Sequence, residues 1–252
     1  MTFQYTPSQI AKLIVDAYDS SSGVFVNKVN AEDLVPYTTK ENQVQFLFWV
    51  IQMDYATKSA ALYKKANALW LEDAKWIDAL YLLNLSEKAF QQMIKEKLRP
   101  RYSNEISLRF RNNGKLLLEK YKGKAMNIVK AAKSAADLLN RIYEFRGFGP
   151  KTGNFLTRTY IDLLKLKYND INEILQPVDV HDVRLTYEWG LIPSRNMTKS
   201  NINIVKSIWN RACKEANVSW IKFDKALWLI GSEGVRTGDA LEDFIKNIGI
   251  VK

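Results

Sequence analysis

Lys151 follows Arg146-Gly147-Phe148-Gly149-Pro150, which puts a primary amine at a helix start just past a turn bracketed by glycines. A neutral lysine amine attacks electrophilic carbon and forms a Schiff base, and the resulting iminium acidifies the neighbouring C–H. To be neutral near pH 7 the amine needs burial or nearby cations, and Arg146 and Arg158 are close in sequence. A lysine in this setting also serves as a point-charge anchor for phosphate, so two roles stand open. The second chemical residue is Asp179, 28 residues further on in Pro177-Val178-Asp179-Val180-His181. A carboxylate there can stabilise developing positive charge and relay protons from an attacking amine. Asp ahead of a helix is equally a preferred N-cap, and the two roles are compatible.

These side chains have to be held by helices. A helix opening at Ser134 and carrying Leu138, Leu139, Ile142 and Tyr143 runs into the Gly147/Gly149 turn, and a second helix opens at Pro150. Proline suits the first helical turn, where its missing N–H is not needed. The two glycines permit the tight turn and a close approach of backbone to another molecule, and the amides at the new helix start suit phosphate. The pattern is a helix-hairpin-helix over about 134–167, although a plain helical corner would also use glycine for packing. Helical spacing continues on both sides. Thr6-Pro7 opens one helix, and further patterns cover 41–56, 58–71, 75–82, 86–97, 104–111, 114–131, 134–145, 151–167, 181–189, 200–216, 222–231 and 239–248. Ser22 to Asn30 allows at most a short hairpin of strands. The expected fold class is therefore all-α, arranged over 1–252 as two helical lobes whose boundary the sequence does not place.

Composition narrows the classes. Apolar residues make up 47% of the 252 and charged residues 25%, as in globular proteins with a real core. The most apolar runs, such as Phe46 to Ile51, are too short to span a membrane. Met1 to Gln9 lacks a charged n-region followed by an apolar stretch, so no export signal is expected. A single cysteine, Cys213, cannot make an internal disulfide, a four-cysteine zinc site or an iron–sulfur cluster, which suggests a reduced, intracellular setting. The net charge is +10, and residues 95–130 supply +8 of it with eleven basic side chains against three acids. Such a localised excess suits a polyanion, although a solvated lysine-rich surface looks the same.

Taken together, the hairpin ending in Lys151 and the Val178-Asp179-Val180-His181 segment resemble the helix-hairpin-helix DNA glycosylase superfamily. The Pro177-Val-Asp start, Val183-Arg-Leu-Thr, Gly190-Leu-Ile, Ile208-Trp209 and Phe223-Asp224-Lys-Ala-Leu-Trp228-Leu-Ile-Gly231 are similar to the archaeal 8-oxoguanine DNA glycosylase/lyases. The likeness covers roughly 134–232. The first 40 residues and the 95–130 segment match nothing in the family, and its common cysteine cluster is absent.

The resemblance implies an active site in the cleft between two lobes of an all-α fold. Lys151 would displace an oxidised purine flipped out of double-stranded DNA and nick the strand by β-elimination, with Asp179 assisting. Phe155, one turn after Lys151, and the Asp224/Trp228 pair would line the base pocket, with Tyr63 near a further stacking position. Core packing is the alternative for the aromatics, and a surface turn of the helix for Asp224. Gly147, Gly149 and His181 would meet the DNA backbone, His181 having a structural hydrogen bond as its alternative. No organic cofactor and no metal ligand set is implied, although the hairpin carbonyls and a phosphate could share a monovalent cation. A monomer in the cytoplasm or nucleoid is expected, acting on damaged DNA and on no membrane. Two rivals remain: a glycosylase for another lesion, and a non-catalytic helix-hairpin-helix protein that only binds DNA.

Overall fold

Polar caps punctuate the chain. Thr6 Oγ1 accepts from the Gln9 N–H and Gln9 Oε1 accepts from the Thr6 N–H at 2.8 Å, a reciprocal cap that opens α1 (Pro7–Asp19). Thr39 caps α2 (Lys40–Ile51), and α3 (Ser59–Glu72), α4 (Ala79–Asn84) and α5 (Glu87–Gln92) follow. Next come α6 (Ser103–Tyr121), α7 (Ala125–Ala131), α8 (Ala135–Tyr143) and α9 (Pro150–Leu164). The last three are α10 (Val180–Glu188), α11 (Lys199–Glu215) and α12 (Trp220–Leu229). The computed structural model describes residues 5–54, 57–174 and 176–234, and these residues are all-α with no strand. None of their helices is long and apolar enough to cross a membrane.

The helices form two compact units. One is discontinuous in sequence, with α1 from residues 5–29 and α10–α12 from 176–234; the other, residues 30–174, is inserted between them and holds α2–α9. In the discontinuous unit α1 buries Ile10, Ala11, Ile14 and Val15 against α11 and α12. Trp209 is its centre, 5.6 Å from Trp189 and 4.9 Å from Phe223 between ring centroids. Its indole N–H donates to Thr186 Oγ1 at 2.9 Å, so the large apolar ring does not strand a polar atom.

In the inserted unit α2 is the axle. Every residue from Val44 to Ile51 is buried, the mark of a helix that is apolar all round rather than on one stripe. Its polar exceptions are matched. Gln45 donates to the Ile77 and Gly123 carbonyls and accepts from the Ala125 N–H, and Trp49 donates to Ile77 O at 2.6 Å. From α9, the Tyr160 hydroxyl donates to Val44 O at 2.9 Å.

Several sequence expectations need correction. The expected helices 104–111 and 114–131 leave a gap at Asn112-Asn113, yet α6 runs straight through it. Gly114 lets Leu83 approach, with an added Cβ only 3.4 Å from Leu83 Cγ, and the Asn113 amide bonds to distant partners rather than its own backbone. The helix ends instead at Lys122 and Gly123, with φ of 54° and 75°, where the Gly123 N–H bonds Leu117 O.

The 75–82 pattern splits at Asp78, which closes a 3₁₀ turn (Ala74–Ile77) and caps α4. The 86–97 pattern changes into a π-helical turn (Met93–Leu98) closed by Arg99 at φ 51°. The helix expected over 41–56 stops at Ile51. Between Ser22 and Asn30 there is a 3₁₀ turn (Gly23–Phe25) and no strand pair, because the left-handed Ser21, Gly23 and Asn27 prevent an extended run. The 239–248 pattern lies outside the described residues.

Candidate active site

The hairpin in the inserted unit is anchored from both sides. Phe145 and Phe148 are buried, with ring centroids 5.0 and 5.7 Å from Phe48 of α2, each burial stabilising by about 1.5–3 kcal/mol. Between them the Arg146 backbone is gripped by Asn113, whose Oδ1 accepts from the Arg146 N–H at 2.8 Å while its Nδ2 donates to Arg146 O at 2.9 Å. Gly147 then turns at φ 89°, where a Cβ would also press on the Arg109 side chain at 2.8 Å. Thr152 ties the turn to α9 by donating to Gly147 O at 2.8 Å and accepting from the Gly149 N–H at 3.2 Å.

Gly149 is a different case. Its φ is −89°, and a Cβ added there would have no atom within 4 Å. Its glycine leaves an open backbone face at the start of α9. Gly153, one turn later, is required for packing, since a Cβ would collide with the Tyr143 ring of α8.

Lys151, the second residue of α9, is exposed, so of the two means of keeping its amine neutral that the sequence suggests, burial or nearby cations, the fold does not provide burial. Helical side chains lean toward the N-terminus, so a residue in the first turn extends past the helix end into solvent. The two arginines suggested as its electrostatic neighbours are engaged elsewhere. The Arg146 guanidinium reaches Glu105 at 3.3 Å, and Arg158, two turns along α9, forms a fully buried ion pair with Glu32 at 2.8 Å. Phe155 is half-buried rather than a core residue, with the Arg158 guanidinium 4.9 Å from its ring centroid. Tyr63 is completely buried, its hydroxyl without a hydrogen bond among the described residues. Burial pushes its pKa well above the usual value, and the negative charges of Asp54 and Glu32 add to this.

In the discontinuous unit, Asp179 is buried and caps α10. Its Oδ1 accepts from the His181 N–H at 2.7 Å and the Asp182 N–H at 3.4 Å, while Asp182 Oδ2 accepts from the Asp179 N–H at 2.6 Å. This is a capping box built from two carboxylates. His181 is half-buried, its Cβ resting where any side chain on Gly231 would have to go. Its Nδ1 lies 3.4 Å from the Arg184 guanidinium, which donates to Gly231 O and so fastens α10 to the end of α12. Asp224 is buried, not on a surface turn, and Trp228 is half-buried. Burial and the Asp224 charge push the nearby Cys213 thiol up to about 12, so it stays protonated and unreactive.

The expected site residues thus fall into two groups. Gly147, Gly149, Lys151 and Phe155 are on the inserted unit, and Asp179, His181, Asp224 and Trp228 on the discontinuous one.

The basic segment is less free than its charge suggests. Arg111 donates to the carbonyls of Leu82, Leu83 and Leu85 and lies 4.0 Å over the Phe90 ring, so it closes the end of α4. Lys97 pairs with Glu72, Lys120 with Glu144, and Arg109 with Glu105. The Arg109 hydrogen bond, with help from Arg146 and against partial burial, holds the Glu105 carboxyl below its usual value. Lys115, Lys122, Lys124 and Lys130 are exposed and make no ion pair among the described residues.

The sequence gives no sign of three well-placed residues, Asn113, Arg109 and Glu32. Each acts on a partner far along the chain, and only the burial of a polar side chain within an apolar helix face could have hinted at Asn113. Among the described residues no group of three or more His, Cys, Asp or Glu side chains is placed to hold a metal ion. No family model matches the chain, and no curated protein is significantly similar to it.

Proposed function

We propose that the protein is a DNA glycosylase with lyase activity that removes an oxidised purine, 8-oxoguanine first among the candidates, from duplex DNA. The observation that carries this reading is the hairpin: a turn clamped onto α2 and α6, an open backbone face at Gly149 and an exposed amine at Lys151 on the first turn of α9. A helix start with a bare glycine backbone suits a DNA phosphate, and an amine beside it is accessible to the sugar of the same strand.

The chemistry follows from the two side chains. A bond forms from Lys151 Nζ to C1′ and the bond from C1′ to the base nitrogen breaks, its electron pair leaving with the base, which takes up a proton. The sugar ring opens to the iminium, a C2′ proton is lost, and the 3′ phosphate departs with the electron pair of its C–O bond. Asp179 would carry protons between these steps and steady the positive charge at the sugar. Half-buried Phe155, one turn after Lys151 on α9, would stack on the flipped base. A monovalent cation is given no step. The carbonyls of Phe145, Arg146, Gly147 and Gly149 each accept a hydrogen bond, from Phe148, Asn113, Thr152 and Gly153.

One observation favours a second reading, that of a DNA-binding protein without catalysis. Asp179 is engaged as a cap and Lys151 is exposed, which suits a structural carboxylate and a phosphate anchor. Borohydride reduction on a panel of duplexes, each with one lesion, decides between them. The catalytic reading expects a covalent protein–DNA adduct on the 8-oxoguanine duplex, lost in Lys151→Gln. If no lesion in the panel gives an adduct or released base while duplex binding persists, the catalytic reading is wrong. An adduct on another lesion alone would change the substrate.

A further inference from the structure

We propose that Asn113 is a positioning residue that sets the hairpin and, through it, the place of the Lys151 amine. The kinetic consequence rests on the glycosylase/lyase reading above; the clamp itself does not. Asn113 is 1% exposed, in the middle of α6, where asparagine is a poor helix former. Both its amide hydrogens and its oxygen are bonded. Nδ2 donates to Gln52 Oε1 at 2.7 Å and to Arg146 O at 2.9 Å, and Oδ1 accepts from the Arg146 N–H at 2.8 Å. One side chain thus exchanges both backbone bonds with one residue, as a neighbouring strand would.

The place of that residue matters. Arg146 is the last position before Gly147 enters the left-handed region, so the clamp fixes the plane from which the turn starts. Gln52 donates in turn to Phe48 O at 2.8 Å, which roots the clamp in the buried axle of the unit. Arg109, one turn before Asn113 on α6, covers the Cα face of Gly147, and Glu105 holds both Arg109 and the Arg146 guanidinium. Four residues lie between the clamped Arg146 and Lys151, and a small rotation at Arg146 would carry the amine away from its attack line. Buried polar groups that would lose a partner resist such a rotation.

The test uses full-length protein in excess over an 8-oxoguanine duplex and follows single-turnover base release. Asn113→Ala is expected to lower the plateau rate constant about 10- to 100-fold while half-saturation moves less than about twofold. Asn113→Asp, which keeps the acceptor for the Arg146 N–H, should fall in between. A purely structural role would lower the melting temperature and the trappable fraction but leave the plateau rate of the folded molecules unchanged. A plateau within about twofold of wild type in the folded variants overturns the proposal. If the alanine variant does not fold, the aspartate variant and Gln52→Met carry the same comparison. Hydrogen exchange separates this inference from the functional reading. The Arg146 amide should exchange about 100-fold faster in a folded Asn113 variant, with the inner amides of α9 unchanged. If wild type releases no base from any lesion, the functional reading falls and exchange alone decides; unchanged Arg146 protection then overturns the clamp.

Discussion

A glycine that cannot carry a Cβ and a glycine whose Cβ would meet nothing have opposite meanings, and the hairpin holds one of each. Gly147 is set by the chain itself, through φ of 89° and the Arg109 side chain packed against it. Gly147→Ala should cost about 1–2 kcal/mol from backbone strain alone, with more from displacing Arg109, read as a lower melting temperature. Gly149→Ala should cost under about 1 kcal/mol and instead weaken duplex binding by about tenfold, because the added methyl occupies the open face. Fluorescence titration with a labelled duplex at fixed salt checks it, and an undiminished affinity would remove the hairpin from the DNA interface. Both glycines were legible in the sequence as members of one motif. Their difference was not, because it depends on Arg109, which comes 38 positions before Gly147.

At the scale of elements, local patterning located the helices whose caps are local and failed where distant contacts decide. Ser134, Pro150 and Asp179 mark helix starts as their side chains dictate. Asn112 and Asn113 fell in the gap between two expected helices, whereas Gln52, Arg146 and Leu83 hold this stretch within one helix. A distant cap also acts at α8. Besides Ser134, the Asp170 carboxylate accepts from the Ala135 and Ala136 N–H groups at 2.8 and 2.9 Å. Burial works to raise the Asp170 pKa, but these donors outweigh it and hold the carboxyl below its ordinary 3.8. A depressed carboxyl contributes stability above its unfolded pKa and loses it as pH falls through the folded value. Asp170→Asn should therefore destabilise by about 1 kcal/mol at pH 7. The gap to wild type should stay level down to roughly pH 4 and close below it. Urea denaturation at pH 7 and pH 3 checks this, and an equal gap at both would show that the charge is not responsible.

For the whole molecule, the net charge of +10 was plain in the sequence, but how much of it faces solvent was not, because Glu72, Glu87 and Glu144 lie outside the basic run they partly neutralise. The exposed Lys95, Lys115, Lys122, Lys124 and Lys130 make no ion pair among the described residues and are lysines left for a polyanion. Replacing Lys122, Lys124 and Lys130 by Gln should lower the slope of log K against log salt by about one for each lysine that touches phosphate. Replacing Lys97, paired with Glu72, should leave it unchanged. Equal slopes for the triple variant and wild type would exclude this face from DNA contact.

The order in which the chain is made bears on its two units. α1 ends at Asp19, whereas its partner α11 starts only at Lys199. At ordinary translation speeds the ribosome needs roughly ten to thirty seconds to deliver that partner. Throughout this interval Ile10 and Ile14 have nothing native to cover them, while the whole of residues 30–174 emerges and can fold. Newborn protein therefore passes through a stage with a finished middle and a sticky leading helix, the stage at which a chaperone would find most to hold.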